Sequence, residues 1–414
     1  MTALATVPLR RGACPGLSAP MPTGDGLLVR LHPTGTISLA AFAALCAAAR
    51  RHGNGVIEIT SRGSIQVRGL SERSAPDFAA DIAALGIAAA DGVPVLADAL
   101  AGIDAEEIFD AGTLAADLRR ALAQRAMAAR LSPKVSVAID GGGAVSLAKA
   151  PADIRLCAQA HDGNAVLHVA VGGDEARAVQ LGSVASEHGV EAAVRLLGVI
   201  ARDGREVRAR DIVASVFRAA IADLLVSAHP RVERKMASPI GAHPLRDCSL
   251  ACGIGLAFGH ADARSLERLV EAAAAAGASG FRAAAGRILM TIGLTAEAAP
   301  GFVIAAEQLG FITRADDLRR RVIACAGAPV CASAHIASRA LAPLIAAQTE
   351  CVIHISGCAK GCAHAASAAL TIVGTADGCA LVANGSARDA PFAIVPTGEL
   401  PAAIAKFMHE AGHV

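Results

Sequence analysis

Residues 321–364 read RVIACAGAPVCASAHIASRALAPLIAAQTECVIHISGCAKGCAH and contain two pairs of cysteines. Five residues separate Cys325 from Cys331, and three separate Cys358 from Cys362. Four thiolates in two short turns that contain glycine are the ligands that an iron–sulfur cube requires. A zinc ribbon instead has equally short spacings in both of its pairs. The stretch therefore predicts a 4Fe–4S cluster, with about one helix and one strand between the two cysteine pairs.

The pattern Cys-x5-Cys followed by Cys-x3-Cys resembles the cluster signature of the sulfite and nitrite reductase family. In that family the four cysteines hold a 4Fe–4S cluster, which is commonly coupled to a sirohaem. The segment ISGCAKGCAH and the N-terminal RRGACPGLSAPMPTGDGLLVRL are similar to one branch of the family, the precorrin-3B synthases of aerobic cobalamin biosynthesis. The resemblance covers most of the chain and is most specific at its two ends.

Length, charge and cysteine content limit the class of protein. A chain of 414 residues predicts two or three domains. A net charge of +1 gives no basic excess for binding nucleic acid, and no apolar run is long enough to span a membrane. The N-terminus has no apolar segment typical of secretion. Eleven cysteines, an odd number, favour metal binding over a disulfide framework, and we expect a cytoplasmic location.

An order of elements occurs twice along the chain. Residues 26–32 predict a strand, Ser38 caps a helix that stops at Gly53, residues 56–60 and 64–68 predict paired strands, and a helix spans 76–85. The same order returns as a strand over 248–258, a helix opening at Ser265 and ending near Gly280, and the segment FRAAAGRILMTIGL. The repeat indicates an internal duplication.

The segments between these units also match. Residues 134–143 (KVSVAIDGGG) correspond to 351–361 (CVIHISGCAKG), and an Asp-Gly turn follows each. We predict an α+β, internally duplicated, nitrite/sulfite reductase-like fold with two ferredoxin-like half-domains and two cluster-type α/β domains. The predicted boundaries lie near residues 80, 240 and 312, with cluster cysteines only in 312–414. Pseudo-twofold packing of the halves would leave a ligand cleft between them.

The resemblance also points to residues that bind the substrate. Arg62 and Gln66 fit the family's T-x-R-x-x-x-Q pattern, in which the arginine reaches the tetrapyrrole or the anion at the iron. Lys134 matches the first lysine of the family's P-R-K-F-K segment, and Arg287 is the repeat counterpart of Arg62. Guanidinium groups suit the carboxylates that surround a tetrapyrrole. Arg62, Gln66, Lys134 and Arg287 are therefore the predicted substrate-binding residues.

Two departures argue against the reduction of sulfite or nitrite. Ser136 stands where the family has its second lysine, and residues 92–104 supply no match for a further active-site arginine. A six-electron reduction of a small anion needs several cations and proton donors that converge on it. Their loss favours another use of the same scaffold.

Other polar residues carry weaker predictions. His335, His354 and His364 are candidate ligands of a second iron, although such histidines are more often structural. Cys248 and Cys252 are interpreted as core residues on a strand, Lys360 as a charge that offsets the cluster, and Asp25 as a polar contact in a turn. Cys14 is a candidate cofactor or substrate contact without a visible partner.

The resemblance implies an O2-dependent monooxygenase that converts precorrin-3A to precorrin-3B by C20 hydroxylation and γ-lactone formation. Electrons would pass from an NADH-linked donor through the 4Fe–4S cluster, and a mononuclear non-haem iron would activate oxygen. One alternative is a sirohaem-dependent sulfite or nitrite reductase, in which Cys362 would bridge the cluster and the haem iron. The other is a non-catalytic iron–sulfur electron carrier or redox sensor.

Overall fold

A computed structural model describes residues 15–226, 234, 236–347, 349 and 351–410. Cys14 and the rest of the predicted N-terminal arm before residue 15 lie outside the described residues. The described strands form four five-stranded sheets with helices packed on them. The predicted α+β class is confirmed.

The first unit has one sheet and two helices. Its elements in chain order are β1 (Met21–Thr23), β2 (Gly26–Leu31), β3 (Ile37–Ser38), α1 (Leu39–His52), β4 (Val56–Ile59), β5 (Ile65–Leu70) and α2 (Ser74–Ala84). The Ser38 hydroxyl caps α1 by accepting from the amide of Ala41, and Phe42 and Leu45 face the core from this helix. These positions agree with the predicted helix and paired strands.

The second unit continues with five strands and four helices. They are β6 (Val95–Ala97), α3 (Ala111–Gln124), α4 (Met127–Arg130), β7 (Val137–Asp140), β8 (Ile154–His161), β9 (Asn164–Val171), β10 (Val179–Ala185), α5 (Gly189–Asp203) and α6 (Ala214–Ala220). Strands β6, β7 and β8 are parallel neighbours, and β9 and β10 add antiparallel strands. The predicted turn between β8 and β9 is present, with positive φ at Asp162 and Gly163.

The third unit repeats the first. Its elements are β11 (Gly241–Pro244), β12 (Leu250–Gly255), β13 (His260–Asp262), α7 (Ala263–Ala275), β14 (Gly280–Ala284), β15 (Ile288–Leu294) and α8 (Ala299–Gln308). The helix expected to open at Ser265 begins earlier, because Asp262 is the cap and accepts from the amides of Arg264 and Ser265. Cys248 was expected on a strand but lies exposed in a turn with φ of 67°, whereas Cys252 is buried in β12 as predicted.

The fourth unit repeats the second. Its elements are β16 (Val322–Ala324), α9 (Ser338–Ala346), β17 (Ile353–Ser356), β18 (Ala368–Thr375), β19 (Gly378–Gly385), β20 (Ala393–Val395) and α10 (Leu400–Glu410). Strands β16, β17 and β18 are parallel, and β19 and β20 are antiparallel additions. The helix and strand predicted between the two cysteine pairs are α9 and β17.

The first and third units exchange a short strand. Strand β3 pairs with β14 of the third unit, and β13 pairs with β4 of the first unit. The resulting sheet orders, β1-β2-β5-β4-β13 and β11-β12-β15-β14-β3, are equivalent under the duplication. Both sheets share one hydrophobic core, in which the rings of Phe42 and Phe281 lie 4.8 Å apart. The exchange joins the two half-domains into a single body.

The second and fourth units each have a core of their own. Among the described helices, none is both long enough and apolar enough to cross a membrane.

Candidate functional site

The four cysteines of the predicted cluster line one cavity of about 250 Å³. Cys325 follows β16 directly, and Cys358 lies two residues after β17. Because β16 and β17 are parallel neighbours, their carboxyl ends meet at one edge of the sheet. Cys331 and Cys362 then lie on the loops that leave this edge. The structure thus brings together two loops that are far apart in the sequence.

Backbone hydrogen bonds fix these loops. The amide of Cys325 donates to the carbonyl of Ile355 (3.1 Å), and the amide of Cys331 donates to the carbonyl of Gly327 (2.8 Å). The amide of Gly357 donates to the Sγ atom of Cys325 at 3.0 Å. Amide donors to cysteine sulfur are among the contacts by which proteins tune iron–sulfur clusters. The loops therefore hold their sulfurs in place through the main chain.

Two glycines leave room beside the sulfurs. A Cβ atom on Gly24, in the β1–β2 turn, would lie 2.2 Å from the Sγ atom of Cys331. A Cβ atom on Gly357 would lie 2.6 Å from the Cβ atom of Ala334 and 3.4 Å from the Sγ atom of Cys325. The N-terminal turn therefore covers the cysteines closely, and only glycine fits at its tip.

The thiol of Cys362 is harder to ionise in this cavity than a thiol in water. Burial raises the pKa of Cys362, and negative charge on the neighbouring sulfurs of Cys325, Cys358 and Cys331 would raise it further. Thiolates packed this closely are stable only when metal ions offset their charge. Across the described ranges, no three His, Cys, Asp or Glu side chains are placed to hold a single metal ion. A cavity lined by four separate sulfurs fits a cluster of several irons.

Filling the space at Gly24 is expected to hinder cluster binding. In Gly24→Ala the added methyl group meets the Sγ atom of Cys331, so either that sulfur or the covering turn must move. We expect clearly less iron and sulfide per chain in the purified variant, with weaker visible absorbance. Gly16→Ala is the matched control, because its Cβ atom would have no neighbour within 4 Å. Equal iron contents in the two variants would contradict the close approach.

A chain of ion pairs lies beside the cysteine cavity. Arg68, which lines this cavity, binds both carboxylate oxygens of Asp25 at 2.8 and 2.7 Å, and its side chain is 11% exposed while that of Asp25 is 1% exposed. Glu58 lies 3.5 Å from Arg68 and 2.7 Å from Arg339. Burial alone would lower the pKa of Arg68, but the hydrogen bond to Asp25, followed by the charge of Glu58, raises it. The guanidinium therefore stays charged next to the cysteines.

A second cavity, of about 240 Å³, adjoins the first. Arg30, Gln66 and Arg287 line it, and Cys325 and Cys362 lie in its wall. Arg30 and Gln66 are paired across β2 and β5, so their side chains share one face of the sheet. Burial lowers the pKa of Arg287. A ligand in this cavity would contact Cys325 and Cys362 on one side. It would also contact the guanidinium groups of Arg30 and Arg287.

A third cavity, of about 230 Å³, is rich in arginine. Arg30, Arg62, Arg119 and Arg282 line it, together with the loop after β6. His32 lies in the wall of this cavity. Burial, followed by the positive charges of Arg30, Arg119 and Arg62, lowers the pKa of His32 to about 4. Arg30 lines both this cavity and the second one. A large anionic ligand held at Arg30 can therefore extend into both.

The predicted substrate residues occupy different places. Gln66 and Arg287 line the second cavity, and Arg62 lines the third. Lys134 is exposed and lines none of the three cavities, so its role stays a prediction without support from its position. His354 is fully buried, and its ring lies 5.6 Å from that of His364. Both ring nitrogens of His354 lack a hydrogen-bond partner in the described part of the chain.

Four arginines were missed by the motif analysis. Gln66 and Arg68 alternate with apolar residues in β5, and this period of two was a usable signal for a polar face, whereas Arg30 is the single polar residue of β2. Arg119, from α3, donates to the carbonyl of Val95, and Arg282, from β14, donates to the carbonyl of Ala99. These two contacts are far apart in sequence, and no local pattern marks them. They bring arginines to residues 92–104, where the sequence itself has none.

Comparisons with known proteins agree with this architecture. The family described as the nitrite/sulfite reductase ferredoxin-like half domain matches residues 19–85. The structure of the Mycobacterium tuberculosis NirA protein superposes with a TM-score of 0.71, covering 92% of this chain and 79% of that one at 18% sequence identity. At that identity the superposition shows the fold alone.

A relative in sequence is more specific. A precorrin-3B synthase from Sinorhizobium sp is 38% identical over 405 residues, which is 96% of this chain and 88% of the relative. The chain therefore belongs to the precorrin-3B synthase family, a branch of the nitrite/sulfite reductase-like proteins.

Proposed function

We propose that this chain is an O2-dependent monooxygenase that converts precorrin-3A to precorrin-3B. The reaction hydroxylates C20 and closes a γ-lactone from the ring-A acetate. The observation that carries the proposal is the 38% identity to a precorrin-3B synthase over 96% of the chain. The geometry supports it, because the arginine-lined cavities next to the cysteines suit a macrocycle that bears many carboxylates.

The proposal assigns a 4Fe–4S cluster to Cys325, Cys331, Cys358 and Cys362. When bound, the cluster supplies single electrons, which an NADH-linked donor provides in turn. A mononuclear non-haem iron is the proposed oxygen-activating centre. His354 and His364, whose rings lie 5.6 Å apart, are candidate ligands of this iron. The proposed location is the cytoplasm.

The chain's own residues bind and orient the substrate in this proposal. Arg62 in the third cavity and Arg287 in the second bind carboxylates on different sides of the macrocycle. The side-chain amide of Gln66 donates a hydrogen bond to the same ligand. Arg30 lines both cavities and so lies between the contacts of Arg62 and those of Arg287. Arg119 and Arg282 extend the cationic wall, and Lys134, in an exposed turn, is retained as a proposed carboxylate contact.

The alternatives give different optical spectra. A sirohaem-dependent sulfite or nitrite reductase would show sirohaem bands, and a synthase would show only broad iron–sulfur absorbance. An electron carrier or redox sensor would not bind the tetrapyrrole. No comparison favours either alternative, because the similarity to NirA extends to the fold alone.

Turnover of precorrin-3A tests the proposed function. Protein purified without oxygen is analysed for iron, sulfide and visible absorbance, and is then mixed with precorrin-3A, a reductant and O2. We expect a product that is one oxygen atom heavier, with that atom labelled by isotopic O2. Reduction of sulfite or nitrite without this product would overturn the proposal.

Arg62→Ala is expected to weaken substrate binding without changing the cluster. Loss of a charge-assisted hydrogen bond to a carboxylate is expected to raise KM about 10- to 100-fold. Arg62→Lys keeps the charge but not the planar fork, so its KM should lie in between. Steady-state kinetics and the visible spectrum measure both properties. Arg218→Ala, at an exposed position of α6, is the control, and an unchanged KM in Arg62→Ala would exclude this role.

A further inference from the structure

Asp98 is a buried carboxyl group in the wall of the arginine-lined third cavity. It follows β6 directly, and 4% of the residue is exposed. Its oxygens accept hydrogen bonds from the amides of Leu100 (3.2 Å) and Gly141 (3.4 Å). Arg62 and Arg30 line the same cavity. The substrate-binding roles proposed above leave this group without a function.

The duplication places Asp98 at the position of a cluster cysteine. Asp98 follows β6 as Cys325 follows β16, and β6 and β16 are equivalent edge strands of their sheets. Asp104 follows Asp98 at the interval that separates Cys331 from Cys325. Asp98 lines the third cavity and Cys325 lines the second, and Arg30 lines both of these cavities. At equivalent positions, one repeat thus places a thiol in the wall of the second cavity, and the other places a carboxyl group in the wall of the third cavity.

Charged groups surround Asp98 from several elements. Asp140, at the end of β7, is paired with Arg234 at 3.0 Å, and Glu107 is paired with Arg246 at 3.3 Å. The carboxylate of Asp104 accepts from the amides of Ala144 and Glu106. Arg282 also lies close to Asp98, but its guanidinium is held by the carbonyls of residues 99 and 101.

Burial, followed by the charges of Asp140 and Glu107, raises the pKa of Asp98 to about 8. The carboxyl group therefore carries its proton at neutral pH. His32 lines the same cavity but has a pKa lowered to about 4, so it is neutral at that pH. Asp91, also in this wall, is exposed to solvent. Among the described residues lining this cavity, Asp98 is the buried group that carries an acidic proton at neutral pH.

We propose that Asp98 is the acid that donates a proton to oxygen as the substrate is hydroxylated in this cavity. The proposal rests on the monooxygenase function proposed above. Hydroxylation consumes O2, two electrons and two protons and releases one water. One oxygen atom is inserted into the C20–H bond of the substrate, the O–O bond breaks, and the other atom takes up the two protons and leaves as water.

The O–H bond of Asp98 breaks as its proton moves to the departing oxygen. The electrons come from a reduced one-electron carrier, and the second proton comes from solvent. The Asp98 carboxylate that remains is protonated again from solvent at the Asp91 side of the cavity. Asp98 and the cysteines thus supply protons and electrons from equivalent positions of the two repeats.

Asp98→Asn tests the proposal, because it keeps the shape of the side chain and removes its acidic proton. We expect kcat to fall about 100- to 10,000-fold, as for the loss of a general acid. The dissociation constant for precorrin-3A, the iron content and the visible spectrum should be unchanged. Asp98→Glu should recover part of kcat. In the wild type, kcat should fall as pH rises through about 8, and Asp98→Asn should lose this limb.

Asp104→Asn is the matched control. The Asp104 carboxylate is buried and belongs to the same loop as Asp98. Unlike Asp98, Asp104 lines none of the three cavities. Its kcat near pH 7 should stay within a few-fold of the wild type. Because the charge of Asp104 helps to raise the pKa of Asp98, the alkaline limb should move to lower pH. A purely structural role of Asp98 would not produce this displacement.

The infrared absorbance of a protonated carboxyl group gives a readout that does not depend on turnover. The wild type should show this band at pH 7, and Asp98→Asn should lack it. Absence of the band in the wild type would overturn the proposal, as would a kcat in Asp98→Asn within threefold of the wild type. If the wild type forms the oxygenated product but Asp98→Asn keeps its rate, only the role of Asp98 is wrong. If the wild type forms no such product, the monooxygenase function fails, and the role of Asp98 with it.

Discussion

Cys358→Ser is expected to abolish the cluster and reduce turnover below detection. Cys358 lines the cavity with the other three cysteines, and its carbonyl accepts from the hydroxyl of Ser356 at 2.7 Å, so the loop should keep its path. A serine hydroxyl is far less acidic than a thiol and is a poor ligand for a cube held by thiolates. We expect iron and sulfide per chain to fall close to zero, with loss of the broad visible absorbance.

Cys248→Ser is the control for this substitution. Cys248 is an exposed cysteine in a turn of the third unit and lines none of the three cavities. Its serine variant should keep the iron content, the spectrum and the turnover of the wild type. Circular dichroism separates loss of the cluster from loss of the fold. Retention of four irons per chain in Cys358→Ser would show that the cluster has other ligands.

Local signals explain why so much of the fold could be predicted. The Ser38 cap, the alternating strands on either side of Arg62 and the Asp162-Gly163 turn each act within a few residues. The duplication strengthened these signals, because each pattern appears twice. The exchange of β3 and β13 could not be predicted, since it depends on contacts between residues more than 200 positions apart. Two- and three-residue strands of this kind carry no periodicity of their own.

The candidate site divides in the same way. The cysteine spacing marks its four residues locally, and the structure brings them to one cavity. The arginine wall has no such mark, because Arg119 and Arg282 reach the cavity from a helix and from the other half of the duplication. Lys134 shows the converse, since a motif match selected it and the fold leaves it exposed. Asp98 was missed because a single aspartate after a strand has no signature until the repeats are superposed.

The Asp25–Arg68 pair should be the most sensitive ion pair beside the cysteines. The Asp25 side chain is buried, the Arg68 side chain is largely buried, and two hydrogen bonds join them. Arg68→Met keeps most of the apolar volume but leaves the Asp25 carboxylate without a cation. Glu58 keeps a partner, because Arg339 lies 2.7 Å away. Breaking one side of a buried pair costs about 3 kcal/mol or more, so we expect a loss of that size in the free energy of unfolding.

The pH dependence of this loss identifies its cause. Burial opposes ionisation of Asp25, but in the wild type the hydrogen bond and charge of Arg68 hold its pKa below 3.8. The pair therefore stabilises the fold fully at pH values above 3.8, the ordinary pKa of an aspartate. This contribution is lost as the pH falls through the lowered pKa of Asp25. In Arg68→Met only the hydrogen bonds from Thr23 and the backbone still oppose the effect of burial, so the pKa of Asp25 should rise above its wild-type value. The difference from the wild type should then be small only below the lowered pKa of Asp25 and should grow from there towards pH 7.

A double variant completes the test of the Arg68 prediction. Asp25→Asn combined with Arg68→Met removes both charges, so it should be more stable at pH 7 than Arg68→Met alone. Hydrogen exchange of the β2 and β5 amides measures the local loss, because Arg68 lies in β5 and Asp25 directly precedes β2. Equal protection in the single and double variants would mean that packing of the arginine stem, rather than its charge, holds this turn over the cysteines. Since the same turn carries Gly24, iron content in the two variants should follow the exchange protection.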